Sequence, residues 1–193
     1  MSLIVATPRL LVRELNVADV EMLRRMYEEP LLARHPELPA SADDESAGIE
    51  RELEHHHRRP GLGLWGVECR DDGVLIGLCG LLRSRIAGVE ETEISYIVER
   101  EFRGRGFAAE AGGAVLAHAF RSLGQRRVVA VVHPANRASI ALATRIGMRH
   151  ERDVEHEAHG IVALYAAHPG ATNPPVKVRR RPASRASGPG GLD

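Results

Sequence analysis

The chain has 193 residues, 44% of them hydrophobic and 27% charged, which suffices for one well-packed domain and is short for two. Its 26 basic and 26 acidic side chains cancel, so the chain as a whole lacks the basic excess of a nucleic-acid-binding protein. No uncharged run approaches membrane-spanning length, and the apolar stretch before Pro8 is too short for a signal peptide. We therefore expect a cytoplasmic protein with no membrane partner, in which Cys69 and Cys79 are buried free thiols.

Residues 168–193 differ in composition from the rest of the chain. This segment contains five basic residues and one acidic residue, Asp193, so its net charge is +4. Residues 1–167 therefore carry a net charge of −4. Prolines, glycines and serines without apolar periodicity cannot bury enough surface to offset the entropy of ordering. The sequence thus predicts one folded domain over residues 1–167 and a disordered basic tail over 168–193. For the tail we favour a solvated segment over a contact with nucleic acid or an acidic partner.

The folded part begins with "RLLVREL", whose alternation predicts a half-buried strand. In "NVADVEMLRRMYEEP" the apolar residues Val20, Leu23 and Tyr27 recur at helical spacing, and a second helix is predicted within residues 41–59, with Ser41 as its N-cap. Residues 55–57 are three consecutive histidines near the end of that helix. They face different directions and cannot converge on one ion, so we expect no metal.

Three strand candidates separated by turn residues follow, and they predict an antiparallel meander: "LGLWGVECR", "VLIGLCGLLRS" and "VEETEISYIVER". A helix then runs from Gly106 to about Leu123, "RRVVAVVHP" reads as a buried strand, and "NRASIALATRI" is a helix closed by Gly147. "MRHERDVEHEA" and "IVALYAA" form a closing hairpin with its turn at His159 and Gly160. The predicted fold class is α/β (α+β), with a mixed, mostly antiparallel sheet of about seven strands and about four helices. One parallel strand pair is bridged by the helix after Gly106.

The turn before that helix is "RGRG". Gly104 and Gly106 let the backbone turn tightly and approach a ligand, and the following helix leaves its first amide groups unpaired. Amides at a positive helix end attract anions, phosphate above all, and Arg103 and Arg105 add forked donors. An ordinary glycine-containing turn is the plain alternative. The glycine spacing also matches the dinucleotide-binding motif G-x-G-x-x-A. We disfavour that interpretation because charged residues, rather than an apolar strand, precede the turn, and because an antiparallel meander comes before them.

A second helix start lies one strand later, where Asn136 is placed to cap the helix and Ser139 lies in its first turn. Residues 103–108 match the R/Q-x-x-G-x-G/A motif of the Gcn5-related N-acetyltransferase (GNAT) superfamily, and residues 136–147 match its N-x-x-S…G segment. Together with "TPRLLVREL" near the start, these segments resemble the branch of the ribosomal-protein alanine/serine N-acetyltransferases (RimJ/RimL-like). The resemblance extends over roughly residues 6–167.

The resemblance implies an acyltransferase that moves an acetyl group from acetyl-coenzyme A to a primary amine, without a metal. In the family the pyrophosphate rests on amides that correspond to residues 105–108, and the pantetheine arm pairs with the backbone that corresponds to residues 96–98. The coenzyme-binding residues implied in this way are Tyr96, Ile97, Val98, Arg103, Gly104, Arg105, Gly106, Phe107, Ala108 and Asn136.

For the chemistry, Glu93 is the preferred acceptor of the amine proton through water, with an ordinary exposed strand acid as the alternative and His133 as second choice. Many family members carry a tyrosine where this chain has Ala143, so Ser139 is predicted to protonate the leaving thiolate, as in the ribosomal-protein branch, with a first-turn serine that only bonds the backbone as the alternative. The expected acceptor is a protein N-terminal amine on alanine or serine. A small amine such as an antibiotic or polyamine, a non-catalytic acyl-coenzyme A sensor, and a homodimer are left open.

Overall fold

The computed structural model describes residues 2–19, 22–23, 61–156 and 160–170. They contain eight strands, two α-helices and two short 3₁₀ turns. The strands are β1 (Leu3–Ala6), β2 (Leu10–Arg13), β3 (Gly63–Cys69), β4 (Leu75–Ile86), β5 (Val89–Val98), β6 (Val128–Val132), β7 (Arg149–His156) and β8 (Gly160–Ala167). The helices are α1 (Phe107–Arg121) and α2 (Arg137–Arg145), and the 3₁₀ turns are Val17–Asp19 and Arg100–Phe102.

All eight strands join one sheet in the order β1-β2-β3-β4-β5-β6-β8-β7. The predicted mixed, mostly antiparallel architecture is confirmed, with one strand more than expected because the chain forms β1 before the predicted first strand. Pro8, which has no N–H to give to a ladder, falls in the turn between β1 and β2. The Thr7 hydroxyl closes that turn by accepting the Leu10 N–H at 2.9 Å.

The helix count in the described ranges is two rather than about four. Of the predicted first helix only Met22 and Leu23 are described, and they are helical. The predicted helix within residues 41–59, its three histidines, residues 157–159 of the closing turn and residues 171–193 of the tail lie outside the described residues. No helix in the described ranges is long and apolar enough to cross a membrane.

The meander is confirmed in strands β3, β4 and β5, which pair antiparallel in sequence order. The turn between β4 and β5 consists of Ala87 and Gly88, with φ of 48° and 82°, and positive φ at both positions suits the right-handed twist of the flanking strands. The long β4–β5 ladder carries Tyr96 directly opposite Cys79. Both cysteines are buried free thiols, as predicted.

The parallel pair is also confirmed, and it is very short. Strands β5 and β6 share a single registered pair, Glu93 with Val129, and α1 makes the connection between them. Beyond Glu93, strand β5 continues for five more residues to Val98 without a registered partner in β6 among the described residues. The two strands therefore diverge toward their carboxyl ends and leave a wedge-shaped cleft in the middle of the sheet.

The main hydrophobic core fills the face of the sheet that α1 and α2 cover. It joins Val115 and Leu116 of α1 and Ala143 of α2 to strand residues such as Trp65 and Ile94. The opposite face carries two smaller apolar clusters, one around Leu78 and Leu82 with Ile97 packed against it, and one around Val129 and Leu164. Since side chains alternate along β5, Glu93, Ser95 and Ile97 lie on this second face.

Candidate active site

The turn that leads into α1 has the geometry of an anion site. Gly104 and Gly106 have φ of 76° and 80°, a region that favours glycine, and Gly106 is the N-cap of α1. The first helical hydrogen bond runs from the Glu110 N–H to the Gly106 carbonyl at 3.1 Å. The amides of residues 107–109 consequently have no acceptor within the helix, and the helix dipole adds positive potential at the same place.

The two arginines of the turn have different surroundings. Arg103 donates from Nε to the Val98 carbonyl at 2.8 Å, so it fastens the turn to the end of β5. Arg105 is exposed, and its guanidinium lies over the Phe102 ring at 5.5 Å from the ring centroid. Both side chains are exposed, but only that of Arg103 is tied to the backbone of β5 by a hydrogen bond in these contacts.

Sequence reasoning missed the residues that hold this turn from behind. Glu110 is buried and accepts hydrogen bonds from the Thr7 hydroxyl at 2.7 Å and from the Arg9 amide at 3.0 Å. The Arg9 guanidinium donates to the same carboxylate from Nε at 2.7 Å. It also donates from Nη1 to the Arg105 carbonyl at 3.1 Å and lies over the Phe107 ring at 4.5 Å. The only sequence clue was an arginine inside "TPRLLVREL" and an acid in the first turn of α1.

The start of α2 is built as predicted. The Asn136 side-chain oxygen accepts the Ser139 N–H at 3.0 Å, which is an N-cap. The Tyr96 hydroxyl reaches across from β5 and donates to the Ser139 carbonyl at 3.4 Å. Burial raises the pKa of the Tyr96 phenol, so it keeps its proton at neutral pH. Because α1 and α2 each follow a strand of the parallel pair, their N-termini lie at the same open end of the cleft.

The two predicted catalytic residues flank the cleft from opposite faces of the sheet. Glu93 lies at the single registered pair of β5 and β6, on the face away from α1 and α2. Ser139 lies on the side of the helices, and its N–H and carbonyl are both engaged, by Asn136 and Tyr96. The Ser139 side chain also forms a hydrogen bond with the Tyr96 phenol, which acts on the pKa of Tyr96 in the direction opposite to burial.

Two other sequence expectations are clarified here. His133, the second choice for a base, accepts the Ala135 N–H on Nδ1 at 3.2 Å. The ring is exposed just past the end of β6. Ala143, at the position where many family members have tyrosine, is completely buried in the main core.

A family model described as an acetyltransferase (GNAT) domain matches residues 9–149. The chain therefore belongs to the GNAT acetyltransferase family, and its class is that of an acyltransferase with acetyl-coenzyme A as the family's donor.

Two relatives come from Bacillus subtilis (strain 168). The uncharacterized protein YkkB is 33% identical over 94 residues, which are 49% of this chain and 55% of YkkB. The match thus spans about half the length of that relative. The uncharacterized N-acetyltransferase YnaD is 25% identical over 148 residues, which are 76% of this chain and 83% of YnaD.

Two solved structures have the same fold. A GNAT-family acetyltransferase from Bordetella pertussis superposes with a TM-score of 0.71 at 26% identity, over 86% of this chain and 99% of that one. RimL, a ribosomal L7/L12 alpha-N-protein acetyltransferase solved in complex with coenzyme A, superposes with a TM-score of 0.70 at 19% identity, over 86% of this chain and 98% of that one. At this identity the likeness to RimL is one of fold.

Proposed function

We propose that this chain transfers the acetyl group of acetyl-coenzyme A to the N-terminal amine of a protein that begins with alanine or serine. The observation that carries the proposal is the cleft between β5 and β6, which opens toward the N-termini of two helices. A thin extended arm fits between strands that diverge, and a diphosphate fits a helix N-terminus. One cleft thus offers sites for both parts of the coenzyme.

In this proposal the backbone amides of residues 105–108 bind the pyrophosphate, with Arg105 approaching it from solvent. The pantetheine arm pairs with the exposed edge of β5 over residues 96–98. The Val98 carbonyl already accepts a hydrogen bond from Arg103, so the pairing relies mainly on the other backbone groups of this segment. Asn136 uses its side-chain oxygen for the cap of α2, which leaves its amide group to contact the arm.

Acetyl transfer from a thioester to an amine forms a C–N bond, breaks a C–S bond, and moves one proton from nitrogen to the departing sulfur. Glu93 accepts the proton from the amine through a water molecule, from the face of the sheet opposite the helices. Ser139 donates its hydroxyl proton to the sulfur from the helix side and regains a proton from water, while Glu93 releases its proton to water, so both side chains return to their starting states. A backbone N–H of Ile97 or Val98 stabilises the oxyanion that forms during the transfer.

The acceptor assignment is supported by the fold that this chain shares with RimL, a protein N-terminal acetyltransferase. A small polycationic amine is the second candidate, because residues 1–167 carry a net charge of −4 that would attract it. A non-catalytic acyl-coenzyme A sensor is the third, favoured by the buried Ala143 in place of a phenol.

The first test is thermal unfolding of the chain with acetyl-coenzyme A, and with NAD and adenosine diphosphate as controls. A ligand at about a hundred times its dissociation constant stabilises the folded state by roughly 2.7 kcal/mol. We expect stabilisation by acetyl-coenzyme A well beyond that by either control. Equal effects of all three ligands, or an effect of NAD alone, would contradict the coenzyme assignment.

The second test offers acetyl-coenzyme A together with peptides that begin with alanine or serine, and compares them with a polyamine and an aminoglycoside. We expect the peptides to gain one acetyl group at the α-amine, as mass spectrometry would detect, with the N-terminally blocked peptide as control. Acetylation of the small amines alone would favour the second candidate. Binding without turnover of any amine would favour the sensor.

A further inference from the structure

We propose that Arg9 is a positioning residue for the anion-binding turn: it holds the Arg105 carbonyl from behind and so aims the Gly106 N–H at the pyrophosphate. The proposal deepens the proposed function and rests on it for the identity of the anion. Arg9 is far from the turn in sequence, in the bend immediately before β2, and no feature of the turn motif itself points to it.

One guanidinium makes every contact that the proposal needs. Its Nη1 donates to the Arg105 carbonyl at 3.1 Å, Nε donates to the Glu110 carboxylate at 2.7 Å, and Nη2 lies 2.7 Å from the same carboxylate oxygen in an ion pair. Its flat face lies over the Phe107 ring at 4.5 Å from the centroid. Arg9 therefore makes three contacts at this helix start. It binds the turn at Arg105, it stacks on Phe107, the first residue of α1, and it pairs with Glu110 in the first turn of α1.

The planarity of the peptide bond converts this contact into an orientation. The peptide that joins Arg105 to Gly106 is trans, as are all others in the described residues, so its carbonyl and its N–H point in opposite directions. With the carbonyl fixed on Arg9, the Gly106 N–H must face the other side of the turn. Glycine at this position, with φ of 80°, has no side chain that could determine the orientation by packing.

Arg9 also compensates a charge that would otherwise oppose the anion. Glu110 lies buried in the first turn of α1, where a carboxylate would repel a bound pyrophosphate. The Arg9 guanidinium neutralises it in an ion pair at 2.7 Å, and the Thr7 hydroxyl and the Arg9 amide donate to its other carboxylate oxygen. Loss of the guanidinium would thus both release the turn and expose a negative charge next to the ligand.

The test compares Arg9→Lys with Arg13→Lys in the full chain. Lysine keeps the charge beside Glu110, but its single ammonium lacks the fork that reaches the carboxylate and the Arg105 carbonyl together. Arg13 is the matched control because it is a buried arginine in the same hairpin. It binds Asp19 with two bonds of 2.8 Å and Glu68 at 2.7 Å.

The first readout is the orientation of the Gly106 N–H bond without any ligand, from residual dipolar couplings. The second is the affinity for inorganic pyrophosphate and for acetyl-coenzyme A, measured by calorimetry at a temperature where both variants are folded. We expect Arg9→Lys to change the direction of the Gly106 N–H bond and to lower the affinity for each ligand about tenfold. A tenfold loss corresponds to one lost hydrogen bond to a charged group. Arg13→Lys should lower the melting temperature and leave both readouts unchanged. The Michaelis constant for the amine should not change in Arg9→Lys.

An unchanged Gly106 orientation in Arg9→Lys would overturn the proposal, and so would an equal loss of affinity in Arg13→Lys. A result in which pyrophosphate binding depends on Arg9 but acetyl-coenzyme A does not bind to the wild-type chain would uphold the role of Arg9. It would at the same time contradict the proposed function, so the two failures are distinguishable.

Discussion

At the scale of single residues, the acids of β5 differ in what surrounds them. Glu91 is bound by Arg127, whose Nε donates to its two carboxylate oxygens at 3.1 and 3.2 Å. Arg127 also pairs with Glu151 of β7 at 2.7 Å, so Glu91 belongs to an ion-pair network at the start of the strand. Glu93 lies two residues closer to the open end of the cleft, on the same face. Of these two acids, it is the one placed next to the diverging strands.

Replacing Glu93 with glutamine should lower kcat/KM for the amine by about a hundredfold, because a carboxylate that accepts a proton contributes about that much or more. The dissociation constant for acetyl-coenzyme A should stay the same, since the coenzyme is proposed to contact backbone further along β5. Steady-state kinetics and calorimetry measure the two quantities. Glu91→Gln is the matched control, with at most a small effect on rate. Equal rates for wild type and Glu93→Gln would remove Glu93 from the mechanism.

Local features of the site could be predicted from the sequence, and distant ones could not. The cap formed by Asn136 and Ser139 lies three residues apart in the chain, so its spacing is visible in the sequence. Arg9 and Glu110 are separated by 101 positions, and only the sheet and α1 bring them together. The hydrogen bond that the Ala135 N–H donates to the His133 ring depends on the backbone turn at Pro134, which a residue pattern does not specify.

At the scale of elements, α1 contains glycines with two different functions. Gly106 starts the helix with φ of 80°, whereas Gly112 lies inside the helix with ordinary helical geometry. A methyl group at Gly112 would meet Ile146 at 3.5 Å, which is ordinary van der Waals contact. The first glycine is required by the backbone, and the second only lowers helix stability.

Gly112→Ala should therefore raise the free energy of unfolding by about 0.5–1 kcal/mol, the usual difference between glycine and alanine inside a helix. Gly106→Ala should lower the free energy of unfolding, because alanine is strained at positive φ. It should also lower the affinity for acetyl-coenzyme A. Urea unfolding and calorimetry provide the two measurements. A destabilised Gly112→Ala would mean that α1 and α2 are packed more tightly than the contact distance indicates.

Strands with long apolar runs between clear turn residues were predicted from the sequence, whereas a short strand without such a run was not. The strands of the meander carry long apolar runs bounded by Asp-Gly and Ala-Gly turns, which is why β3, β4 and β5 were found. Strand β1 has only four residues, with exposed ends, and pairs through an irregular register with β2. Its strand conformation comes from that partner rather than from its own side chains.

At the scale of the whole molecule, one titratable side chain couples the main core to pH. His118 of α1 packs edge-on against the buried Trp65, with ring centroids 6.0 Å apart. Burial lowers the pKa of His118 below its ordinary value of 6.5. Below about pH 6.5 the unfolded chain thus binds a proton at this residue more readily than the folded chain does. The stabilisation is complete above that pH and is lost as the pH falls toward the lowered pKa.

We expect the free energy of unfolding to decrease between pH 7 and pH 5, and to decrease less in His118→Gln, which cannot take up the proton. Urea unfolding at several pH values measures the slope for each protein. Identical slopes for His118→Gln and wild type would show that the acid sensitivity arises elsewhere.

The divergence of β5 from β6 affects whether the backbone of this sheet can pair with a strand of another chain. A sheet normally ends only at its outer strands, where unpaired backbone groups can recruit a foreign strand and cause aggregation. This sheet has two further edges that face each other across the cleft, from residue 94 onward in β5 and from residue 130 onward in β6. The cleft closes where Glu93 of β5 pairs with Val129 of β6. A complete β-strand, with side chains on both faces of the sheet, therefore fits only in its wide outer part. A slender extended ligand can enter, so the shape of the cleft restricts which molecules reach the unpaired backbone of β5 and β6.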